Sequence, residues 1–280
     1  MTRYDQETIQ GAGGASLPVY ATLPPDAPKG LLLIVHGFAE YGSRYRNLSR
    51  DFARKGLAVW VYDQRGHGRQ EGPRGVCGSY EEFLEDLELA AGEMQARWPD
   101  LPLFLYGHSM GGNITLNYLI RRKPAHVKAA ILSSPWLRLH KGTPYWAVRM
   151  MERVLGPGYQ VKTKLHSLSH DREYLRSIAD PALHHNLIST GMARGIMEGG
   201  RYVLAHPHEL QVPILLMSAG DDLVVDTEAI RQLADAGNPL ITYRNWPGYW
   251  HELHNETGRE DVLQEVWSYL SKQLPQQGSE

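Results

Sequence analysis

The chain has 280 residues, of which 42% are hydrophobic and 21% charged, so it can bury one sizeable core and has the composition of an ordinary globular protein. Its formal net charge of −2 gives no electrostatic basis for binding nucleic acid, and its single cysteine, Cys77, cannot form an intramolecular disulfide. The N-terminus lacks the apolar stretch of a secretory signal, and no run approaches the ~18 apolar residues of a membrane span. We therefore expect a cytoplasmic protein with no nucleic-acid partner.

Short apolar runs alternate with longer helical patterns along the chain, which is typical of an α/β protein with a mostly parallel sheet and helices on both faces. An early segment, residues 17–23, is predicted to form an antiparallel edge strand. The remaining strands are predicted at residues 31–35, 57–62, 103–106, 129–132, 214–217 and 241–245.

Helical patterns lie between these strands. Ser79 and Glu82 form a capping box in front of a helix with one apolar face. Further helices are predicted at about 109–122, 227–236 and 259–274.

One interval departs from this alternation, because roughly 80 residues separate the strand ending at Leu132 from the next strand. Within it, Thr143 is predicted to cap a helix, Pro144 suits the first turn, and Gly156 ends the helix. We therefore predict a helical cap at residues 137–208, inserted into a catalytic domain made of residues 1–136 and 209–280.

Ser109 is the candidate nucleophile. It lies in Gly107-His-Ser-Met-Gly111, directly after a predicted strand and directly before a predicted helix. The G-x-S-x-G motif alone is a weak signal, but in this context it predicts the sharp turn that carries the nucleophile of an α/β-hydrolase fold. Glycines flank the serine because a Cβ there would collide with the neighbouring strand and helix. We interpret His108, on the same turn, as a packing residue.

A serine hydroxyl needs an adjacent base, and a carboxylate must hold that base in the right tautomer. On this fold the chain order is serine, acid, histidine, each after a strand end. Asp221, Asp222 and Asp226 follow one predicted strand, and His251 and His254 follow the next. We predict Asp222 as the acid, with Asp226 capping the following helix, and His251 as the base because it comes first after its turn.

The pair His251 and His254 does not indicate a metal site, since there is no H-E-x-x-H pattern and no evident third ligand. No metal and no cofactor are therefore expected.

Two loops complete the predicted site. The backbone N–H groups of Phe38, after the first parallel strand, and of Met110, after the nucleophile, are the predicted oxyanion donors. His36 is predicted to brace the first loop. A second glycine-rich loop, Asp63-Gln-Arg-Gly-His-Gly68, lacks the spacing and the helix of a dinucleotide-binding motif, so we interpret it as a tight loop near the site. Cys77, beyond this loop, is treated as structural.

These residues together resemble the monoacylglycerol lipase and lysophospholipase branch of the α/β hydrolases. The matching motifs are His36-Gly-x-x-Glu40 with Arg44-Tyr45, Asp63-x-x-Gly-His-Gly68, Gly107-His-Ser-Met-Gly111, Asp222-x-x-x-Asp226 and Tyr249-x-His251. The resemblance implies a Ser109–Asp222–His251 triad, oxyanion donors at Phe38 and Met110, and a helical cap. One position departs from the family pattern: Gln70 stands where the family usually has a serine after the glycine loop.

The resemblance also implies hydrolysis of a carboxylic ester that carries one fatty-acyl chain, through an acyl-enzyme intermediate. An apolar stripe in the cap could line an acyl tunnel or could equally seat the cap on the core. The stripe comprises Trp146, Met150, Met151, Val154 and Leu155, followed later by Met192, Ile196 and Met197, and the first four are the predicted substrate-binding residues. The expected partner is a small acyl ester, and an exposed part of the cap could dock transiently on a membrane or micelle surface.

Two other functions remain open at this point. The same triad could serve a peptidase, an amidase or a lactonase, because the fold does not determine the substrate. A non-catalytic binding protein on the same fold usually has an eroded triad, whereas all three positions are filled here. Nothing in the sequence specifies the oligomeric state.

Overall fold

The computed structural model describes residues 1–164 and 168–275. Ten strands lie in this part of the chain: β1 (Arg3–Gln10), β2 (Ser16–Leu23), β3 (Gly30–Val35), β4 (Leu57–Tyr62), β5 (Leu103–His108), β6 (Val127–Ser133), β7 (Gln160–Lys162), β8 (Leu187–Ser189), β9 (Ile214–Ala219) and β10 (Ile241–Trp246). Eight form the main sheet in the order β1-β2-β4-β3-β5-β6-β9-β10, and β7 pairs with β8 in a small second sheet. Only the β1–β2 and β2–β4 pairs of the main sheet are antiparallel.

Eight α-helices accompany the strands in the described residues: α1 (Arg46–Arg54), α2 (Tyr80–Arg97), α3 (Met110–Arg122), α4 (Tyr145–Leu155), α5 (Arg172–Ser177), α6 (Thr190–Ala205), α7 (Thr227–Ala234) and α8 (Arg259–Ser271). Helices α2, α3, α6 and α7 contribute to the buried cluster on one face of the sheet, and α1 and α8 to the cluster on the other. Strands β3, β4 and β5 are buried along their whole length because both faces are covered. The predicted α/β fold is thereby confirmed.

The first two strands differ in part from the expectation. β2 is antiparallel as predicted, but it is not the edge strand, because β1 pairs with it from Arg3–Leu23 to Gln10–Ser16. In β1 only Ile9 is buried. A strand at the sheet edge with mostly polar side chains gives no apolar signal in the sequence. The capping box in front of α2 is present as predicted, with Ser79 and Glu82 each accepting the backbone N–H of the other.

Residues 137–208 hold α4, β7, α5, β8 and α6, apart from residues 165–167, which lie outside the described part of the chain. Thr143 does not cap α4: the N-cap residue is Pro144, which has no side-chain capping hydrogen bond. The helix ends as predicted at Gly156, whose φ of +85° suits a residue without a Cβ.

This interval touches the loops at the carboxyl ends of the parallel strands. Tyr41, after β3, donates its hydroxyl to the carbonyl oxygen of Ile178 at 2.8 Å. The backbone N–H of Glu252, after β10, donates to the carbonyl oxygen of Leu168 at 2.8 Å. We propose on these contacts that residues 137–208 form a cap over that edge, while α6 is also anchored in the main buried cluster.

Among the described residues, no helix combines the length and the apolar character needed to cross a membrane. The cytoplasmic location stays a prediction.

Candidate active site

Ser109 lies on the turn between β5 and α3 with φ +53° and ψ −116°, a backbone conformation that residues other than glycine rarely adopt. The turn can be this tight because of its glycines. A Cβ on Gly111 would collide with the carbonyl oxygen of Val35, and a Cβ on Gly107 would lie 2.6 Å from Oγ1 of Thr115. The strained turn predicted from the G-x-S-x-G motif is therefore what the structure has.

His251 and Asp222 lie at the same sheet edge, because the carboxyl ends of neighbouring parallel strands meet there. Nε2 of His251 is 2.8 Å from Oγ of Ser109, and Nδ1 is 2.8 Å from Oδ2 of Asp222. All three side chains are buried. The geometry is a continuous hydrogen-bond chain from carboxylate to imidazole to hydroxyl, as a serine nucleophile requires.

The electrostatics of the pair suit proton transfer. Burial alone would lower the pKa of His251, but the Asp222 carboxylate outweighs it and raises that pKa above its ordinary value of 6.5. The net pKa of Asp222 is lowered. Burial alone would raise it, but His251 and the backbone N–H groups of Val224 and Val225 outweigh that effect. These opposite shifts favour an ionised Asp222 carboxylate next to an imidazole of increased basicity.

The other two histidines near Ser109 are poorer bases. Burial lowers the pKa of both His108 and His254 to about 3. Nδ1 of His108 lies 3.1 Å from the carbonyl oxygen of Ser133, and Nδ1 of His254 lies 3.3 Å from the hydroxyl of Tyr106. Both rings are packed and hydrogen-bonded, in keeping with the packing interpretation of His108.

The contacts of the three candidate aspartates also distinguish Asp222 from the other two. Oδ1 of Asp226 accepts the N–H of Glu228 at 3.0 Å as the N-cap of α7, and Oδ2 accepts Nε of Arg138 at 2.6 Å. Asp221 is exposed. Of the three candidates, only Asp222 is hydrogen-bonded to His251.

The loop after β3 fits the predicted oxyanion arrangement. The N–H of Gly37 is occupied, since it donates to Oε2 of Glu40 at 2.5 Å. The N–H groups of Phe38 and Met110 have no hydrogen-bond partner among residues 1–164 and 168–275. His36 braces this loop as predicted: Nδ1 pairs with the carbonyl oxygen of Gly37 at 2.8 Å, and Nε2 accepts the N–H of Gln64 at 3.0 Å.

Side chains of the second glycine-rich loop accept backbone hydrogen bonds that hold it in a tight conformation and tie it to the loop after β3. The Asp63 carboxylate accepts the N–H groups of Gly42 and Arg69. Gln70, the residue that departs from the family pattern, accepts the N–H of Gly66 at 3.0 Å. The loop is therefore a tight structural turn, as interpreted from its sequence, and Gln70 contributes to its closure.

A buried charge cluster next to His251 was missed by the sequence reasoning. Arg44 donates to both carboxylate oxygens of Glu252, at 2.8 and 2.7 Å, and its Nε lies 3.4 Å from Glu40. Burial acts to raise the pKa of Glu252, but the Arg44 guanidinium lowers it to about 2. Glu40 also accepts the hydroxyl of Tyr45 at 2.6 Å. Glu40 and Arg44 belong to a motif of the resembled family, but no sequence pattern pairs either of them with Glu252.

Ser109 and His251 open into a cavity of about 630 Å³. Its apolar wall includes Phe38, Trp136, Leu139, Val161, Leu223 and Val224. This wall comes from the β3 loop, the segment after β6, the cap strand β7 and the segment after Asp222, so no single helix supplies it.

The predicted acyl-binding stripe does not line this cavity. Trp146, Met150 and Val154 are 72%, 56% and 71% exposed on the solvent-facing side of α4. Met151 is half-buried and is also absent from the lining of this cavity. The expectation is wrong for these four residues because α4 buries Val148 and turns the predicted stripe outward. Met192 and Ile196 are instead part of the main core.

Two negative findings hold for the part of the chain that the structure describes. No group of three or more His, Cys, Asp or Glu side chains could hold a metal ion. Burial raises the pKa of Cys77 to about 12, so this thiol stays protonated and unreactive near neutral pH.

Comparisons with known proteins extend over nearly the whole chain. Over 275 residues the chain is 32% identical to a monoacylglycerol lipase of Mycolicibacterium smegmatis, covering 96% of this chain and 98% of that protein. It is 29% identical to the phospholipase YtpA of Bacillus subtilis, covering 90% and 99%. Among solved structures, a soluble variant of the Saccharomyces cerevisiae monoglyceride lipase superposes with a TM-score of 0.86 at 23% identity, covering 97% and 96%.

The sheet, the strained turn at Ser109 and these comparisons define an enzyme of the α/β-hydrolase fold. Residues 26–258 match the family described as "Serine aminopeptidase, S33", and the chain belongs to that family.

Proposed function

We propose that this enzyme hydrolyses carboxylic esters that carry a single fatty-acyl chain, with Ser109 as nucleophile, His251 as general base and Asp222 orienting the histidine. The observation that carries the proposal is the hydrogen-bond chain Asp222–His251–Ser109, with 2.8 Å at each step, at the base of the cavity. The similarity to a monoacylglycerol lipase along the full chain supports the substrate class.

In the first half of the reaction, Oγ of Ser109 attacks the ester carbonyl carbon while its proton moves to Nε2 of His251. The C–O bond to the alcohol then breaks, and the alcohol leaves with that proton. In the second half, water gives a proton to Nε2 of His251 and attacks the acyl carbon. The bond from that carbon to Oγ of Ser109 then breaks, Oγ takes the proton back from His251, and the fatty acid leaves. The N–H groups of Phe38 and Met110 would stabilise the oxyanion formed at each attack, since both are free to donate.

The apolar wall of the cavity suits the acyl chain. Each methylene transferred from water to such a surface stabilises the complex by about 0.8 kcal/mol, so chain length should affect binding strongly. We propose Trp136, Leu139 and Leu223 as acyl contacts, in place of the α4 residues predicted from sequence.

An aminopeptidase activity, which the family description names, is less well supported by this cavity. Binding a peptide N-terminus requires a free carboxylate or comparable acceptors for the ammonium group. The carboxylates that line the cavity among the described residues are Glu40 and Glu252, and both are paired with Arg44. The lysines at the mouth, Lys141 and Lys162, would also repel a cationic substrate.

The outward face of α4 supports a transient contact with a membrane or micelle surface. Trp146, Arg149, Met150, Arg153 and Val154 are all exposed and share one face by their spacing. Helices that lie in the lipid interface bury apolar side chains such as tryptophan and leucine in the lipid, while their arginines and lysines stay at the polar boundary. Here the arginines flank the exposed apolar side chains. Co-sedimentation with lipid vesicles should fall for a Trp146→Ala, Val154→Ala double variant while its hydrolysis of a monomeric ester is retained.

The proposed activity is tested with a panel of 1-acylglycerols, p-nitrophenyl esters of increasing chain length, and amino-acid p-nitroanilides. We expect hydrolysis of the esters, no release from the anilides, and labelling by a fluorophosphonate probe. Ser109→Ala serves as the blank for every substrate. Release from the anilides at rates comparable to the esters would instead favour a peptidase.

A further inference from the structure

The mouth of the cavity is strongly cationic, which the overall charge of the chain does not predict. The chain has a formal net charge of −2 and eight lysines, yet three of these, Lys141, Lys162 and Lys164, line this one cavity. All three are exposed, and none forms an ion pair with any residue in the ranges 1–164 and 168–275. We refer to these three lysines as the lysine rim.

The charges deeper in the cavity do not cancel the lysine rim. Glu40 and Glu252 are buried and share the Arg44 guanidinium, so this cluster has a formal charge of −1, against +3 for the lysine rim. Asp226, the next acidic residue in the sequence after Asp222, forms an ion pair with Arg138 and caps the N-terminus of α7. The catalytic end therefore has two carboxylates, Glu40 and Glu252, against one guanidinium, Arg44, whereas the open end has three positive charges without an ion-pair partner in the described residues.

The lysine rim comes from two separate segments. Lys141 lies before α4, whereas Lys162 ends β7 and Lys164 follows two residues later. The three lysines line one cavity because β7 and the β6–α4 connection both border it. The hydroxyls of a neutral glycerol head group would accept only ordinary hydrogen bonds from the lysines, whereas a phosphate would also gain the attraction between opposite charges.

We propose that the lysine rim binds the phosphate of an anionic lysophospholipid, and that such lipids are preferred over neutral monoacylglycerols. The inference rests on the proposed function: the acyl ester lies at Ser109, the acyl chain lies on the apolar wall, and the alcohol half carries its phosphate to the rim. The leaving alcohol is then a glycerophosphate, and no other reactant beyond water is needed.

The same phosphate chemistry could come from an anionic lipid surface instead of the substrate. The test therefore uses monomeric substrates with no surface present: 1-hexanoylglycerol and 1-hexanoylglycerol 3-phosphate, both below the concentration at which they aggregate. Wild type is compared with a Lys141→Gln, Lys162→Gln, Lys164→Gln variant. A matched control, Lys29→Gln, Lys128→Gln, Lys272→Gln, removes the same charge from exposed lysines outside the cavity.

Wild type should show the higher kcat/KM for the phosphate ester. In the rim variant, the ratio of kcat/KM for the two esters should shift about tenfold toward the neutral ester, mainly through KM, because exposed ion pairs contribute little each and three act together. The control variant should keep the wild-type ratio, and added salt should reduce the ratio in wild type but not in the rim variant.

An unchanged ratio in the rim variant, or an equal shift in the control variant, would overturn the inference. A shift that appears only with anionic vesicles and not with the monomeric esters would assign the lysines to a lipid surface and likewise overturn it. If wild type hydrolyses the neutral ester at least as well as the phosphate ester, the inference fails and the proposed function stands. If wild type hydrolyses neither ester, both the inference and the proposed function fail.

Discussion

Replacing Asp222 by asparagine should switch His251 to the wrong tautomer without displacing it. In the native site, Oδ1 of Asp222 accepts the N–H groups of Val224 and Val225, at 2.8 and 3.0 Å, while Oδ2 faces His251. In the variant, the amide oxygen should keep the two backbone donors, so the amide NH₂ must point at Nδ1 of His251. Nδ1 then becomes an acceptor, and the ring proton moves to Nε2, which can no longer accept the serine proton.

Part of the magnitude follows from these two backbone contacts. Flipping the amide would leave one buried and one partly buried N–H group unpaired, at about 1 to 3 kcal/mol each. With a total of at least ~2 kcal/mol, only a few per cent of molecules would hold the productive orientation. That population accounts for a loss of roughly 30-fold; the rest comes from losing the carboxylate charge that stabilises the imidazolium formed in the transition state. The corresponding substitution in serine proteases lowers kcat by ~10⁴, about 5 kcal/mol of transition-state stabilisation, and we expect a similar total loss here.

The assay compares kcat/KM for a short soluble ester, the rate of fluorophosphonate labelling, and Tm. Asp226→Asn is the matched control, because asparagine can still cap α7 and Asp226 does not contact His251. Asp222→Asn should lose both activity and labelling while its Tm stays close to that of wild type. If Asp222→Asn retains activity within tenfold of wild type, or if Asp226→Asn loses as much, the assignment of the acid is incorrect.

Three further outcomes are expected. Ser109→Ala should abolish labelling and lower kcat by ~10⁴ to 10⁶ while the protein stays folded, as thermal unfolding would show; substantial turnover would exclude this nucleophile. Because His251 must be neutral to act as base and Asp222 raises its pKa, kcat/KM for an ester without titratable groups should fall with decreasing pH through a pKa above 6.5. A midpoint well below that value would argue against the Asp222–His251 pair. EDTA should leave activity unchanged, and inhibition reversed by a divalent cation would contradict the metal-free mechanism.

The strands and the proposed triad could be predicted from the sequence because their signals are local. β4, with the sequence Leu-Ala-Val-Trp-Val-Tyr, is buried on both faces and appears as one apolar run. Ser109 and Asp222 follow such runs, β5 and β9, while His251 follows the less buried strand β10. The carboxyl ends of these parallel strands meet at one sheet edge. Knowing the strands was therefore enough to predict which side chains come together there.

The charge cluster and the lysine rim could not be predicted in this way. Arg44 and Glu252 are 208 positions apart, and neither lies in a pattern that marks a buried ion pair. Lys141 and Lys162 look like ordinary surface lysines in the sequence. Their significance depends on which loops border the cavity, and loop positions follow from packing of the whole fold rather than from local periodicity.

Helix α4 shows the limit of periodicity most directly. Its pattern correctly indicates that Trp146, Met150 and Val154 share one face, but a helical period does not state what that face contacts. The assumption that an apolar face must point inward failed because α4 packs through Val148 and leaves the larger apolar side chains in solvent. Exposing a tryptophan and a methionine together is unfavourable in water unless another surface covers them. The same observation that removes these residues from the acyl site therefore supports their placement at a lipid interface.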